Sequence, residues 1–259
     1  MSVQACADLV ERGDPDRFLA AMAAPPSARA VLFPIYAFNL EVSRAPWATQ
    51  EPMIAEMRLQ FWRDVAEEIG LGKAPRAHEV AAPLARCVSP EDAPLLDAIA
   101  EVRRWDIYKD AFEDEAHFDA YLEASSGNVM VLAAKSLAGS AIKPEAEPVL
   151  RGFAFAAGLA NFLRAIPDLE ERGRVPLLDG TPEAVQDLAR RGLARLAQAR
   201  AKRGLIPQQA RAALYAAWQA EAILKQVVEN PLRVAEGSLG TSEFARRARL
   251  LWVSATARV

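Results

Sequence analysis

Residues 158–177 read Gly-Leu-Ala-Asn-Phe-Leu-Arg-Ala-Ile-Pro-Asp-Leu-Glu-Glu-Arg-Gly-Arg-Val-Pro-Leu, and this segment is the most informative in the chain. Its apolar side chains recur at the i, i+3, i+4, i+7 spacing of one helix face: Leu159, Phe162, Leu163 and Ile166. A second stripe, which we expect to face a cavity, carries mostly small and polar residues: Gly158, Asn161, Ala165 and the 168–169 region. Pro167 removes a backbone donor, so we expect the helix to kink or stop there.

The bulk composition suits a globular chain with a sizeable apolar core. The protein has 259 residues, of which 52% are hydrophobic and 25% charged, and its formal net charge is −3. Because acids and bases nearly balance, nucleic acid is not an expected partner. Cys6 and Cys87 are far apart and lack metal-ligand spacing. We therefore expect free thiols in a reducing cytosol.

The hydropathy pattern indicates neither a signal peptide nor a spanning helix. Acids interrupt the first twelve residues too early for a secretory signal. The longest uncharged apolar run, Gly152–Leu163, is well short of the ~20 residues that a spanning helix needs. It is typical of a helix buried on all sides. The expected location is the cytoplasm, and peripheral contact with the inner membrane stays open.

Almost every segment has helical periodicity, and no alternating strand pattern or Asn-Gly hairpin occurs. Asp14 followed by Pro15 predicts a helix start with an N-cap and a proline in the first turn. Further helices are predicted at 28–44, 53–69, about 89–110, 116–138 with a weak point at 125–128, 149–166, 183–203, 207–229 and 242–254. We expect one all-α domain over residues 1–259.

Two segments resemble the signature motifs of the squalene/phytoene synthase family. The first is Tyr36-Ala37-Phe38 and the residues that follow it. In the second, the matching residues are Asn161, Leu163, Arg164, Gly173, Arg174 and Leu177. The resemblance covers roughly residues 5–230 and implies a terpenoid-synthase-like helical bundle around a central cavity. In working family members, acidic residues of both motifs hold Mg²⁺ against the diphosphates of two prenyl substrates.

The magnesium-binding aspartates of that family are absent from this chain. Their positions are occupied by Ser43, Arg44, Trp47, Ala165 and Leu169. Mg²⁺ prefers hard oxygen ligands such as carboxylates. Without them, the charge on a departing diphosphate would lose its main electrostatic support. Asp168 lies one residue away from the second lost position, roughly 100° around the helix. For Asp168, Glu170 or Glu171 to replace the lost metal ligand, the backbone would have to follow a different path.

One branch of the family resembles this chain better than the working synthases do. It is the branch of the mitochondrial complex I assembly factor 6 and its bacterial counterparts. The resemblance rests on Ala37–Glu41, Met57–Trp62 and the Leu-Arg-Ala-x-Pro run at 163–167. It implies a non-catalytic helper that needs no cofactor and binds a protein partner, a subunit or assembly factor of respiratory complex I (NADH dehydrogenase).

Two other functions stay open at this point. One is a prenyl transferase that condenses two isoprenoid diphosphates, with Mg²⁺ held by atypical ligands. The other is a module that keeps the cavity for an isoprenoid or lipid ligand. The candidates for lining the cavity or binding an anion are Tyr36, Arg58, Asn161, Arg164 and Arg174. The alternative role for the arginines and the tyrosine among them is to buttress the helices.

The remaining chemical patterns are weaker. Asp106 and Asp110 share one helix face, but their charged neighbours indicate a solvated, salt-bridged surface. Met57, Phe61 and Trp62 at helical spacing are expected in the core. The two histidines, His78 and His117, have no Ser, Cys or acid arrangement nearby in sequence, so no nucleophilic or general acid–base role is supported.

Overall fold

The chain folds into packed helices. The computed structural model describes residues 2–108, 110–256 and 259, and within these ranges no strand occurs. The α-helices are α1 Val3–Gly13, α2 Pro15–Ala23, α3 Pro26–Arg44, α4 Pro52–Gly70, α5 Ala81–Cys87, α6 Ala93–Glu101, α7 Arg104–Tyr108, α8 Glu115–Leu122, α9 Asn128–Ala138, α10 Glu147–Glu171, α11 Pro182–Ala201, α12 Ala220–Glu229, α13 Leu232–Ala235 and α14 Glu243–Thr256. The all-α prediction is confirmed.

The predicted caps explain where two helices begin. The Asp14 side chain accepts a hydrogen bond from the backbone N–H of Arg17 at 3.0 Å, and Pro15 follows as the first residue of α2. Thr181 caps α11 in the same way, through the N–H of Ala184. Each cap gives a partner to a backbone donor that the first helical turn leaves unpaired.

Helix α10 runs through the middle of the fold. It packs against α9, α11 and α12, and its buried side chains include Leu150, Phe153 and Phe155. The segment Pro144–Glu171 is long and apolar enough to cross a membrane, but 72% of its most apolar window is buried inside the fold. It is the expected buried core helix.

A stop at Pro167, one of the two expected outcomes, is wrong, because α10 continues to Glu171. Pro167 stands in the penultimate turn, where the loss of one backbone donor does not end the helix. The helix closes instead at Gly173, which has a positive φ of 76°. The N–H of Arg174 donates to the Leu169 carbonyl at 2.9 Å, and that of Gly173 to the Glu170 carbonyl at 2.8 Å. This Schellman closure turns Arg174 back toward the core.

Two other predicted helices are subdivided. The stretch 89–110 breaks between α6 and α7, around Val102 and Arg103. The stretch 207–229 contains a 3₁₀ run, Gln208–Ala217, before α12 begins. This run packs against α9, and its buried alanines, among them Ala213, allow the close approach. The sequence did not separate this 3₁₀ run from an α-helix, because residues at i and i+3 share a face in both.

The weak point predicted at 125–128 is not a break but a π-helical segment, Glu123–Gly127, that joins α8 to α9. The segment presses against α10 at Gly158. A β-carbon at Gly158 would lie 2.6 Å from the Ser126 Oγ and 2.7 Å from its Cβ. Only glycine fits this contact without displacement.

The expectation that Met57 lies in the core is wrong. Its side chain is 66% exposed on α4, whereas Trp62 is buried. The Trp62 ring packs edge-on against Phe38 at 5.4 Å, and the half-buried Phe61 lies beside it. Met57 points outward because the inner face of α4 passes through Leu59 and Trp62, which leaves position 57 on the far side.

The carboxylate of Asp16 ties three helices together. Its oxygens accept hydrogen bonds from Arg164 of α10 at 2.8 Å and from Arg246 of α14 at 2.5 Å. Burial raises the pKa of Asp16, but the bonds and charges of both arginines outweigh that effect and hold it below its ordinary value. The C-terminal helix is further held where Ser254 donates to the Ala23 carbonyl at 3.2 Å.

We predict that Asp16→Asn lowers the free energy of unfolding at pH 7 by about 1–3 kcal/mol, because two arginines lose a charged acceptor. The lowered pKa of Asp16 means that its stabilisation is fully present above its ordinary pKa of 3.8. That stabilisation is lost as the pH falls through the lowered value. Urea unfolding at neutral and at acidic pH should therefore show a gap between wild type and variant that narrows in acid.

Asp187→Asn is the matched control, because its pair with Arg190 is exposed and spans one turn of a single helix. The control should change stability by less than about 0.5 kcal/mol at either pH. Equal losses in both variants, or a gap for Asp16→Asn that persists in acid, would contradict the role of this carboxylate.

A second prediction concerns the contact between α10 and the π-helical segment. Gly158→Ala should lower the free energy of unfolding by about 1–3 kcal/mol, because the added methyl overpacks against Ser126. The higher helix propensity of alanine offsets only about 1 kcal/mol of that loss. Gly180→Ala, where no atom lies within 4 Å of the new methyl, should be nearly neutral in the same urea titration. A stabilised Gly158→Ala protein would refute the close contact.

Candidate functional site

A half-open pocket of about 420 Å³ lies between the two motif segments. Ser43 and Trp47 line it from the first motif. The second stripe of α10 lines it from the other side, through Gly158, Asn161, Ala165 and Leu169. Phe162, assigned by its spacing to the apolar face, also reaches the wall because it lies at the border of the two stripes.

The first-motif positions carry no carboxylate into the pocket. Ser43 offers only a neutral hydroxyl, which donates to the Asn39 carbonyl of its own helix at 2.6 Å, and it lacks the negative charge of the carboxylates that Mg²⁺ prefers. The guanidinium of Arg172 covers the Trp47 ring at 4.8 Å. Arg44 is exposed and does not line the pocket; its side chain lies against Gly13.

Three carboxylates do reach the pocket, and each is bound to an arginine. Asp14 pairs with Arg17 at 3.1 Å, and Asp16 pairs with Arg164 at 2.8 Å. The third, Asp106, contacts Arg103 at 3.4 Å. In the part of the chain that the structure describes, no group of three or more His, Cys, Asp or Glu side chains could hold a metal ion. The residues present do not fit the magnesium clamp of a diphosphate-binding site.

Asp106 was expected on a solvated surface, and that expectation is wrong. Only 4% of the residue is exposed, and its Oδ2 accepts a hydrogen bond from the Tyr121 hydroxyl at 3.1 Å. Burial raises the pKa of Asp106, although Arg103, Arg174 and Tyr121 oppose the shift. The turn between α6 and α7 rotates Asp106 inward, whereas Asp110 stays exposed.

Arg174 lies behind this network and does not line the pocket. Its side chain is buried, its guanidinium covers the Trp105 ring at 3.6 Å, and Nη1 donates to the Trp105 carbonyl at 2.9 Å. Desolvation lowers the pKa of Arg174 below its ordinary value. The stacked geometry is that of a buttress between the end of α10 and α7.

The other candidate residues are divided by the structure. Asn161 and Arg164 line the pocket, whereas Tyr36 and Arg58 do not. Tyr36 is buried, and desolvation raises its pKa to about 12. Arg58 is exposed on α4, and Met57 beside it is exposed as well.

The acids near the lost metal position do not replace it. Asp168, Glu170 and Glu171 are exposed and lie outside the pocket wall. The helix continues through this region to Glu171, so each carboxylate keeps the helical position that its place in the sequence dictates. The changed backbone path that a rescue required is not present.

Nucleophilic chemistry also lacks support. Cys6 and Cys87 are free thiols outside the pocket, and burial raises their pKa values to about 11 and about 12. A thiol with so high a pKa holds little of the reactive thiolate at neutral pH. His78 lies at the start of α5, where its Nδ1 accepts a hydrogen bond from the Val80 N–H at 3.1 Å.

Sequence reasoning missed three side chains that shape the pocket: Asp16, Arg103 and Tyr121. Asp16 pairs with residues 148 and 230 positions away, so no local pattern predicts its role. The i, i+3 spacing of Arg103 and Asp106 was a usable local signal, since such spacing allows pairing inside a fold as well as on its surface.

Comparison with solved structures supports the architecture. The chain matches a dehydrosqualene synthase crystallised with a ligand, with a TM-score of 0.78 and 15% identity over 98% of this chain and 96% of that one. It also matches squalene synthase HpnC from Alicyclobacillus acidocaldarius, with a TM-score of 0.71 and 16% identity over 92% and 95% of the two chains. At this identity the likeness establishes the terpenoid-synthase-like fold.

Curated relatives agree with the branch that the motifs indicated. A homolog of NADH dehydrogenase (ubiquinone) complex I assembly factor 6 from Drosophila melanogaster is 25% identical, over 96% of this chain and 82% of the relative. The Homo sapiens assembly factor 6 is 24% identical over 66% of this chain, and the match spans 51% of the human protein. The profile of the squalene/phytoene synthase family matches residues 10–177. The chain therefore belongs to the squalene/phytoene synthase family.

Proposed function

We propose that this protein is a non-catalytic helper in the assembly of respiratory complex I (NADH dehydrogenase). The observation that carries the proposal is the state of the pocket, in which Asp14, Asp16 and Asp106 are each held by an arginine. The family positions that would supply magnesium ligands hold Ser43, Arg44, Trp47, Ala165 and Leu169 instead. The fold remains while the groups that its chemistry needs are replaced.

The charge balance of the pocket argues against a magnesium-dependent reaction. A metal site for two diphosphates needs several carboxylates free to coordinate Mg²⁺. Recruiting Asp16 would break its bonds to Arg164 and Arg246 and leave both guanidinium groups without this anion. Mg²⁺ would therefore have to displace two cations from the carboxylate, and each displacement loses a charge-assisted hydrogen bond. We therefore propose that no magnesium is required.

Complex I assembly is proposed as the process because of the names of the relatives. Those matched at about a quarter identity are named complex I assembly factor 6, and one match covers nearly this whole chain. The partner we propose is a complex I subunit or another assembly factor. We propose that the contact is made in the cytoplasm, and that Arg164 and Arg174 buttress the helices rather than bind an isoprenoid or lipid anion.

The test is deletion of the gene in the native host, followed by measurement of assembled complex I and of the isoprenoid profile. We expect NADH dehydrogenase activity and the complex I band on a native gel to fall severalfold, with isoprenoids unchanged. An assembly factor raises the yield of the complex without entering its chemistry, so reintroducing the wild-type gene should restore both readouts. Normal complex I in the deletion strain would refute the proposal.

The prenyl-transferase alternative is tested on the purified protein. Incubation with farnesyl or geranylgeranyl diphosphate and MgCl₂ should give no squalene- or phytoene-type product above a boiled control. The pocket has no free carboxylate set to support loss of diphosphate. Turnover above that control, or an altered isoprenoid profile in the deletion strain, would favour the enzyme instead.

A further inference from the structure

The C-terminal helix α14, Glu243–Thr256, has two apolar faces. The inner face buries Leu250 and Val253 against the rest of the fold. The outer face exposes three large apolar side chains: Phe244 is 83% exposed, Leu251 72% and Trp252 53%. An ordinary surface helix carries one apolar stripe and a polar opposite face. The second apolar stripe therefore indicates a contact with a partner or surface outside the folded chain.

The outer residues form one arc on the helix. At 100° per residue, Phe244, Leu251 and Trp252 fall within about 100° of one another. The exposed alanines Ala248 and Ala255 lie inside the same arc. The arc is continuous and contains no charged side chain. Exposed apolar residues on a protein surface usually stand singly, whereas this arc groups three large ones.

Arginines flank the arc on both sides. Arg247 lies beside one edge of the arc and Arg249 beside the other, whereas Arg246 falls on the inner face, where it pairs with Asp16. Arg246 and Arg247 both bond to Glu243, at 3.3 Å and 3.0 Å, and Arg249 donates to the Trp218 carbonyl at 3.4 Å. Because Asp16 balances Arg246, the charges beside the arc are Arg247 and Arg249 against Glu243, a net +1, although the whole chain carries −3.

We propose that the outer face of α14 docks on the surface of an anionic lipid bilayer. Aromatic and leucine side chains on one face, with arginines at its edges, are the composition of helices that lie in the membrane interface. Trp252 suits the headgroup level, where its ring is amphipathic, and the long side chain of Arg247 can reach lipid phosphates.

The shape of the face favours lipid over a folded partner. The outer arc is the convex side of a helix fixed to the fold, and a bilayer accepts such a ridge without a preformed groove. The inner side of α14 is held to α2, where Ser254 donates to the Ala23 carbonyl, so the outer arc stays turned toward solvent. The basic edges match an anionic headgroup layer.

The experiment is co-sedimentation of the full chain with vesicles. One set contains phosphatidylcholine alone, and the other contains phosphatidylcholine and phosphatidylglycerol in equal parts. We expect clear binding to the anionic vesicles, weaker binding to the neutral ones, and weakening by salt. The triple variant Phe244→Ala, Leu251→Ala, Trp252→Ala should lose roughly tenfold or more in partitioning to anionic vesicles.

The matched control is Met53→Ala, Met57→Ala, which removes equally exposed apolar side chains from α4. This control should bind vesicles as the wild type does, and circular dichroism should show both variants folded, because all the replaced side chains are exposed. Equal vesicle binding by wild type and triple variant would overturn the proposal. So would a wild-type dimer on light scattering that the triple variant converts to a monomer without any vesicle binding.

Discussion

The packing around the first half of α10 governs how the other helices are arranged. Over residues 149–160 no position of α10 is exposed, so its neighbours α9, α11 and α12 decide which side chain each position can carry. At Gly158 the π-helical segment leaves no room for a methyl group. At Gly152 an added β-carbon would lie 2.9 Å from that of Ala199. Past residue 160 the helix opens at the wall of the pocket, through Asn161 and Arg164.

The packing of the helices fixes where the pocket lies. Its charge is set by arginines that pair with its carboxylates. The motif helices meet where a diphosphate-binding family places its acids, but the acids that remain come from other segments and are all paired. The pairs of Asp14 and Asp106 are local, whereas the pair of Asp16 with Arg164 joins two helices. This arrangement supports the proposed helper role, which needs no metal chemistry.

The sequence predicted the architecture because local signals carried it. The cap at Asp14, the buried run in α10 and the cavity stripe at Gly158, Asn161 and Ala165 all follow from spacing within one helix. The errors arose where long-range contacts decide. Asp106 is buried by a tyrosine from another helix, and Met57 is exposed because α4 has only one packed side.

The same contrast applies to the candidate site. Asn161 and Arg164 were identified because they lie on the motif helix, whereas Asp16 escaped notice because its partners are distant in sequence. Pro167 was misread because the helix around it is stabilised by burial and by the closure at Gly173. Both outweigh the loss of a single backbone donor.

The Asp16 carboxylate has a thermodynamic consequence. One oxygen holds Arg164 at the pocket wall and the other holds Arg246 on the C-terminal helix. Two contacts that share one anion are not independent, so a change that strengthens or releases one alters the free energy of the other. The effect is the same in both directions. The wall of the pocket and the attachment of α14 to the fold are thereby linked through a single side chain.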